Sequence, residues 1–214
     1  MISLASGAGP VGVTIFRPWW PAALHGYPGA MRAVLLEVPE AMLDERRRLG
    51  LDGRDEMWDG VLHVVPPPGG PHQEFAGELF LVLAPLAKRC GLRPYYETGL
   101  FRADKDYRVP DQLYCRPQHE SERGAEGAEL VVEIRSAGDE TYEKIDFYAE
   151  LEVREMLIAH PGDRRVELLR AVDGRLRSVS PDAEGGDYSE VMSARFETVD
   201  KQLHIAWGDG SAAV

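Results

Sequence analysis

Cationic side chains are scarce in this chain: 24 Lys and Arg stand against 36 Asp and Glu, a formal net charge of -12. That balance argues against a protein that holds nucleic acid through overall charge, because phosphate neutralisation drives such binding. A local basic group or a bound divalent cation can still reverse the field at one site, so a nucleic-acid enzyme stays open. Cysteine is scarcer still. Only Cys90 and Cys115 occur, without CxxC spacing, which leaves no basis for a disulfide framework or a zinc knuckle. No apolar run approaches the roughly 20 residues of a membrane-spanning helix. His25, His63, His119, His160 and His204 show no HxxxH-type spacing, and GxSxG, HExxH and GxxxxGK[ST] are absent. The basic run after Arg46 reads as a solvated helix face rather than a groove reader.

What remains is an ordinary globular composition, 44% hydrophobic and 28% charged, in a length that suits one domain with appendages. The two reduced thiols suit a cytosolic protein. Residues 1–30 carry much Gly, Ala and Pro without periodicity, and their first basic residue, Arg17, follows the apolar stretch instead of preceding it. That order does not suit a signal peptide. The segment reads as a loose N-terminal extension, or a start codon placed too early, before a domain over 31–214.

Pro39 to Leu49 reads as a short helix stopped by Gly50. Two apolar runs about Asp59-Gly60 predict a hairpin, since both turn positions need positive φ. From His72 to about Arg89, Phe75, Leu79, Val82, Leu83 and Leu86 recur at helical spacing; Pro85 predicts a kink or early end, and Gly91 a stop. Strands are expected at Arg93–Phe101, at Arg108–Cys115 and in ELVVEIRS, the last a central strand buried on both faces. TYEKIDFYAELEV reads as a helix, EMLIAHP as a strand, and the stretch about Asp173-Gly174 as a second hairpin. The tail is expected to be a polar loop with one short strand at Leu203–Trp207. These elements describe an α/β or α+β sandwich around a mixed sheet, with helices on opposite faces.

Glu133 interrupts an otherwise apolar strand. Alternation sends Leu130, Val132 and Ile134 to one face, and Val131, Glu133 and Arg135 to the other. A carboxylate buried there without a partner costs several kcal/mol, so it either pairs with Arg135 or Lys144 or serves a function. Asp111 lies in a second strand-like run, after a proline that marks a bend or an edge. On neighbouring strands the two carboxylates can approach within about 4–5 Å, where they repel. A divalent cation relieves that repulsion, and hard oxygens suit Mg²⁺ or Mn²⁺. Lys144, with Tyr148 and Leu151 on its helix face, is either a solvated lysine or a group that orients water and steadies phosphoryl charge. Glu56, opening the first hairpin, and His72, opening the long helix, are weaker candidates.

The ordered set DEMWDG, PHQEFAGELF, RVPDQLYC, ELVVEIRS and the helix with Lys144 and Tyr148 resembles the Uma-two family, over roughly Met31 to Trp207. That family is described as restriction endonucleases of the PD-(D/E)XK nuclease superfamily. The resemblance implies a restriction-endonuclease-like fold, a mixed sheet flanked by helices. It implies that Asp111 is the Asp of the PD motif and Glu133 the acid of the next strand. Glu56 would be the upstream acid and His72 the histidine before the long helix. The lysine usual two residues after the acid is Arg135 here, and the resemblance moves its role to Lys144. Met156 and Leu157 stand where the family usually has aromatics. The implied chemistry is hydrolysis of DNA phosphodiesters, with Mg²⁺ or Mn²⁺ held by Asp111, Glu133 and the Ile134 carbonyl. A nuclease-fold protein that binds nucleic acid or a protein partner without cutting is the alternative, favoured by the acidic balance and by Arg135. An enzyme acting on another phosphoester, such as RNA or a nucleotide, is a third. A homodimer would suit cutting of both strands.

Overall fold

The computed structural model describes residues 33–136 and 138–214, so the expectation about residues 1–30 lies outside the described residues. A short strand, β1 (Ala33–Leu35), leads through the expected first helix, α1 (Glu40–Arg48), into the hairpin of β2 (Glu56–Trp58) and β3 (Val61–Val64). Asp59 and Gly60 turn it with φ of 47° and 87°, the left-handed pair such a turn demands. The long helix α2 (Gly70–Arg89) then runs on through Pro85, where an early end had been one expectation. Pro85 and Leu81, whose carbonyl loses its intrahelical donor, are both exposed, so water can serve the orphaned group. Past the helix, Leu92 N–H donates to Ala87 O (2.8 Å) and Gly91 N–H to Lys88 O (3.1 Å), the Schellman pair that the left-handed Gly91 permits.

The strands expected at Arg93–Phe101 and Arg108–Cys115 are each broken in two. The first divides into β4 (Arg93–Tyr96) and β5 (Leu100–Ala103), the second into β6 (Asp106–Arg108) and β7 (Gln112–Cys115). Because β4 pairs with β7 and β5 with β6, both antiparallel, the four make one long hairpin whose arms leave one sheet and enter another. In one arm the break is Glu97–Gly99, with Glu97 at φ 46°. In the other it is Val109–Asp111, where Pro110 has no N–H to offer a ladder. The Glu97 N–H donates to the Asp111 carbonyl at 3.0 Å and ties the two breaks together. Asp111 therefore sits in a crease, not inside a strand.

After the small strands β8 (Glu120–Ser121) and β9 (Gly124–Ala125) comes β10 (Leu130–Ile134), every residue of it buried. It runs antiparallel to β7 and parallel to β11 (Glu155–Ala159), as a central strand should. The helix expected between them is shorter than its sequence pattern. A 3-10 turn at Tyr142–Lys144 precedes α3 (Ile145–Glu150), which ends as Glu152 turns left-handed at φ 55°. The second Asp-Gly hairpin follows as β12 (Val166–Val172) and β13 (Arg175–Ser178). Among the described residues the order β13-β12-β11-β10-β7-β4 makes a six-stranded mixed sheet, and β1-β3-β2-β6-β5-β9-β8 a second sheet. The α2 side chains Phe75, Leu79 and Leu83 cluster with Leu130, Val132 and Ile134; Phe147 and Tyr148 of α3 cluster with Val131. The two helices thus cover opposite faces of β10, in a mixed α+β architecture.

The tail departs from expectation. In place of one short strand, β14 (Asp187–Ser189), β15 (Ala194–Val199), β16 (Gln202–Trp207) and β17 (Gly210–Ala213) form an antiparallel sheet. The β15–β16 turn is Asp200-Lys201 at φ 51° and 62°, a left-handed pair without the glycine that would have marked it. Ala194, Phe196, Leu203 and Ile205 bury against the α2 core. No helix among the described residues is long and apolar enough to cross a membrane.

Candidate active site

Where the two sheets part at the crease, a cleft of about 280 Å³ opens. Glu56, His72, Asp111, Glu133, Ile134 and Lys144 all line it, so the residues singled out from the sequence come together. The walls include the Pro66–Gly69 stretch and the segment after β10.

Glu133 is 4% exposed and points toward α3. Its carboxylate accepts from Lys144 Nζ at 3.1 and 3.3 Å and from the Tyr148 hydroxyl. Nζ also lies 2.8 Å from Glu56 Oε1. Glu56 is buried on β2, where it accepts the Val109 N–H at 2.9 Å and the Trp58 indole N–H at 2.8 Å. One ammonium therefore bridges buried carboxylates from two different sheets. Burial, opposed by Lys144 and reinforced by Asp111 and Glu56, pushes the Glu133 carboxyl up to about 8. Burial would lower Lys144, but Glu133 and then Glu56 outweigh it and hold the ammonium more firmly protonated than usual. Lys144 sits in the 3-10 turn ahead of α3, not in the body of a helix.

One step beyond the Val132–Gln112 pair of the β7–β10 ladder, Asp111 faces Glu133. Its Oδ2 accepts the Ile134 N–H at 2.7 Å, and its Oδ1 accepts from His72 Nε2 at 2.9 Å. His72 Nδ1 lies 3.2 Å from Ser136 Oγ, so both ring nitrogens have protein partners. Arg135 does not line the cleft; its guanidinium sits over the Tyr142 ring at 4.7 Å, and Asp139 is 3.9 Å away. Of the two ion pairs conceivable for Glu133, the structure makes the one with Lys144.

Sequence reasoning passed over several residues here. Tyr148 was noted only for its place on the Lys144 face, yet it bonds Glu133 directly. His63 lines the cleft, and its Nδ1 donates to Glu140 Oε2 at 3.0 Å. Its cross-strand partner is Glu56, so the hairpin register carried a signal that spacing motifs do not. Arg54 pairs with Glu97, which also accepts from Gln73 Nε2 at 2.9 Å. Only the tertiary fold joins Arg54 to Glu97.

Among the described residues no group of three or more His, Cys, Asp or Glu side chains is arranged to hold a metal ion. The donors on hand are the Asp111 and Glu133 carboxylates, with Ile134 lining the same cleft. These are hard oxygens, and Mg²⁺ commonly takes one or two carboxylates and completes its shell with water and phosphate oxygens. The residues fit that ion class without a preformed cage.

A family model described as "Uma2: Putative restriction endonuclease" matches residues 43–197. Among solved structures, the chain is similar to one titled a "putative nuclease belonging to DUF820" from Anabaena variabilis. The identity is 19%, the TM-score 0.52, and the match covers 66% of this chain and 86% of that one. A second match, titled "cryoEM structure DrdV-DNA complex", has 14% identity and a TM-score of 0.33 over 50% of this chain and 10% of the other, too slight a likeness to carry an argument. No curated protein matches.

Proposed function

The chain belongs to the Uma2 family, and from that membership and the cleft chemistry we propose that it is a divalent-metal-dependent nuclease that hydrolyses phosphodiester bonds in DNA. The observation that carries the reading is Lys144 held between buried Glu56 and Glu133, beside Asp111, at the floor of an open cleft. A purely architectural ion pair would gain nothing from that access, and removing three carboxylates from bulk water is costly. Asp111, Glu133 and the Ile134 carbonyl would hold Mg²⁺ or Mn²⁺, which supplies Lewis acidity and a more acidic bound water.

The chain's own side chains do the positioning. His72 and the Ile134 N–H fix the Asp111 carboxylate, and Tyr148 fixes Glu133. Glu56 and Glu133 aim the Lys144 ammonium, whose fixed charge would orient the attacking water or steady charge on a phosphoryl oxygen. Held as an ammonium by two carboxylates, Lys144 serves as a fixed charge rather than a proton carrier.

The test is incubation of supercoiled and linear DNA with Mg²⁺ or Mn²⁺. Cleavage that disappears in both Asp111→Ala and Lys144→Ala supports the reading. If neither metal binds or raises thermal stability, and Asp111→Ala changes nothing, the reading fails. The net charge of -12 favours a second reading, a nuclease-fold protein that binds a protein partner or nucleic acid without cutting. Stable binding of either by a protein that never cleaves would mark that outcome.

A further inference from the structure

We propose that His63, oriented by Glu140, is the proton donor to the leaving oxygen of the scissile phosphodiester. This rests on the nuclease reading above and adds to it a role that the metal carboxylates and Lys144 do not fill. The two cleft histidines are used differently. His72 has both ring nitrogens on protein partners. His63 has only Nδ1 engaged, on Glu140, and among the described residues its Nε2 makes no hydrogen bond while the side chain lines the cleft.

The His63 ring is also held against rotation. It stacks on Trp58 with centroids 4.3 Å apart and planes 12° from parallel. Since β2 lies between β3 and β6, Arg108 packs on the other flank of Trp58, its guanidinium 4.2 Å from that ring and 4.0 Å from the Phe147 ring. The layered stack runs from the α3 core to the cleft. Glu140 fixes the in-plane rotation, as the carboxylate partner of a catalytic histidine does elsewhere. Glu56, the cross-strand neighbour of His63, places the ring beside the residue that anchors Lys144. A ring clamped in both senses, with Nε2 left without a partner among the described residues and the side chain lining the cleft, suits general-acid transfer.

In the step, the bond from phosphorus to the departing sugar oxygen breaks as the bond to the attacking water oxygen forms. The departing oxygen keeps the bonding pair and takes the Nε2 proton from the imidazolium, which becomes neutral. The proton lost by the water passes to solvent, and solvent returns one to His63.

The experiment compares two esters in the presence of Mn²⁺: duplex DNA, whose leaving group is an alkoxide, and thymidine 5′-(p-nitrophenyl phosphate), whose nitrophenolate leaves without a proton. His63→Gln is expected to lower kcat on DNA by about 100-fold or more, and on the nitrophenyl ester by less than about threefold. Glu140→Gln is expected to show a smaller loss with the same selectivity, and it carries the test alone if His63→Gln does not fold. Lys144→Met is expected to fail on both esters. Equal losses on the two esters, or no loss on either, overturn the donor role and leave the nuclease reading intact. Wild-type protein inert toward both esters overturns the nuclease reading and the donor role with it.

Discussion

Lys144 and Glu56 meet across the boundary of two sheets: Nζ and Oε1 are 2.8 Å apart, although Glu56 belongs to β2 and Lys144 to the turn before α3. Neither sheet completes the site alone. Removing one member of a buried pair strands the other charge, a loss of about 3–5 kcal/mol in other proteins. Lys144→Met strands the Glu56 carboxylate and leaves Glu133, whose carboxyl is already raised, to take up a proton; it is expected to lower the unfolding free energy of the metal-free protein by that order. Glu56→Gln, which keeps a hydrogen-bonding side chain, is expected to cost less. Urea unfolding of the two variants compares them, and equal losses would contradict the ranking.

Glu133 gives the metal-free protein a pH dependence of definite sign. Its carboxyl in the fold is raised from the ordinary 4.5 to about 8, chiefly by burial. Its contribution to stability is therefore complete below the ordinary carboxylate range and is lost as pH rises through about 8. The Tm of metal-free protein is expected to fall between about pH 5 and about pH 9, and Glu133→Gln to flatten that slope. A Tm that climbs over this window in wild type would contradict the assignment.

Divalent cation should act oppositely at alkaline pH, because it favours the ionised carboxylates. Mg²⁺ or Mn²⁺ at 100 times its Kd would stabilise the fold by about 2.7 kcal/mol. Thermal melts with and without metal are expected to show the shift in wild type, and to lose it in Asp111→Ala.

The Asp200-Lys201 turn offers a test away from the cleft. Lys201 holds φ 62°, a region that costs an L side chain roughly 1 kcal/mol and glycine little. Lys201→Gly is expected to stabilise the protein by about 0.5–1 kcal/mol in urea unfolding, with cleavage unchanged. A destabilised variant would show that the Lys201 side chain does more than occupy a turn.

Much of the architecture was legible because simple periodicities govern it. The period-two pattern of β10 put Leu130, Val132 and Ile134 on one face and Val131 and Glu133 on the other, and the fold covers the first face with α2 and the second with α3. Asp59-Gly60 and Asp173-Gly174 marked their turns because glycine tolerates the φ they need. The tail sheet was missed for the complementary reason, since Asp200-Lys201 adopts the same geometry without glycine. The strand breaks at Glu97–Gly99 and Val109–Asp111 escaped because each arm reads as one β-like run; only their pairing shows that both change sheets together. Asp111, Glu133 and Lys144 stood out as charges in otherwise apolar or helical patterns. His63 and Glu140 did not, because a histidine on a half-buried hairpin looks ordinary until a carboxylate 77 positions away closes on it.

The crease also sets a length requirement distinct from any chemical one. Three residues, Val109 to Asp111, carry the chain from β6 to β7. Strand side chains alternate faces, so one residue more or fewer in this bridge would turn every β7 side chain over relative to β6. Leu113 and Cys115 would then exchange faces with Gln112 and Tyr114, and Asp111 would no longer stand opposite Glu133. The bridge acts as a spacer gauge: substitutions within it alter contacts, but a single insertion or deletion breaks the alignment of the two sheets.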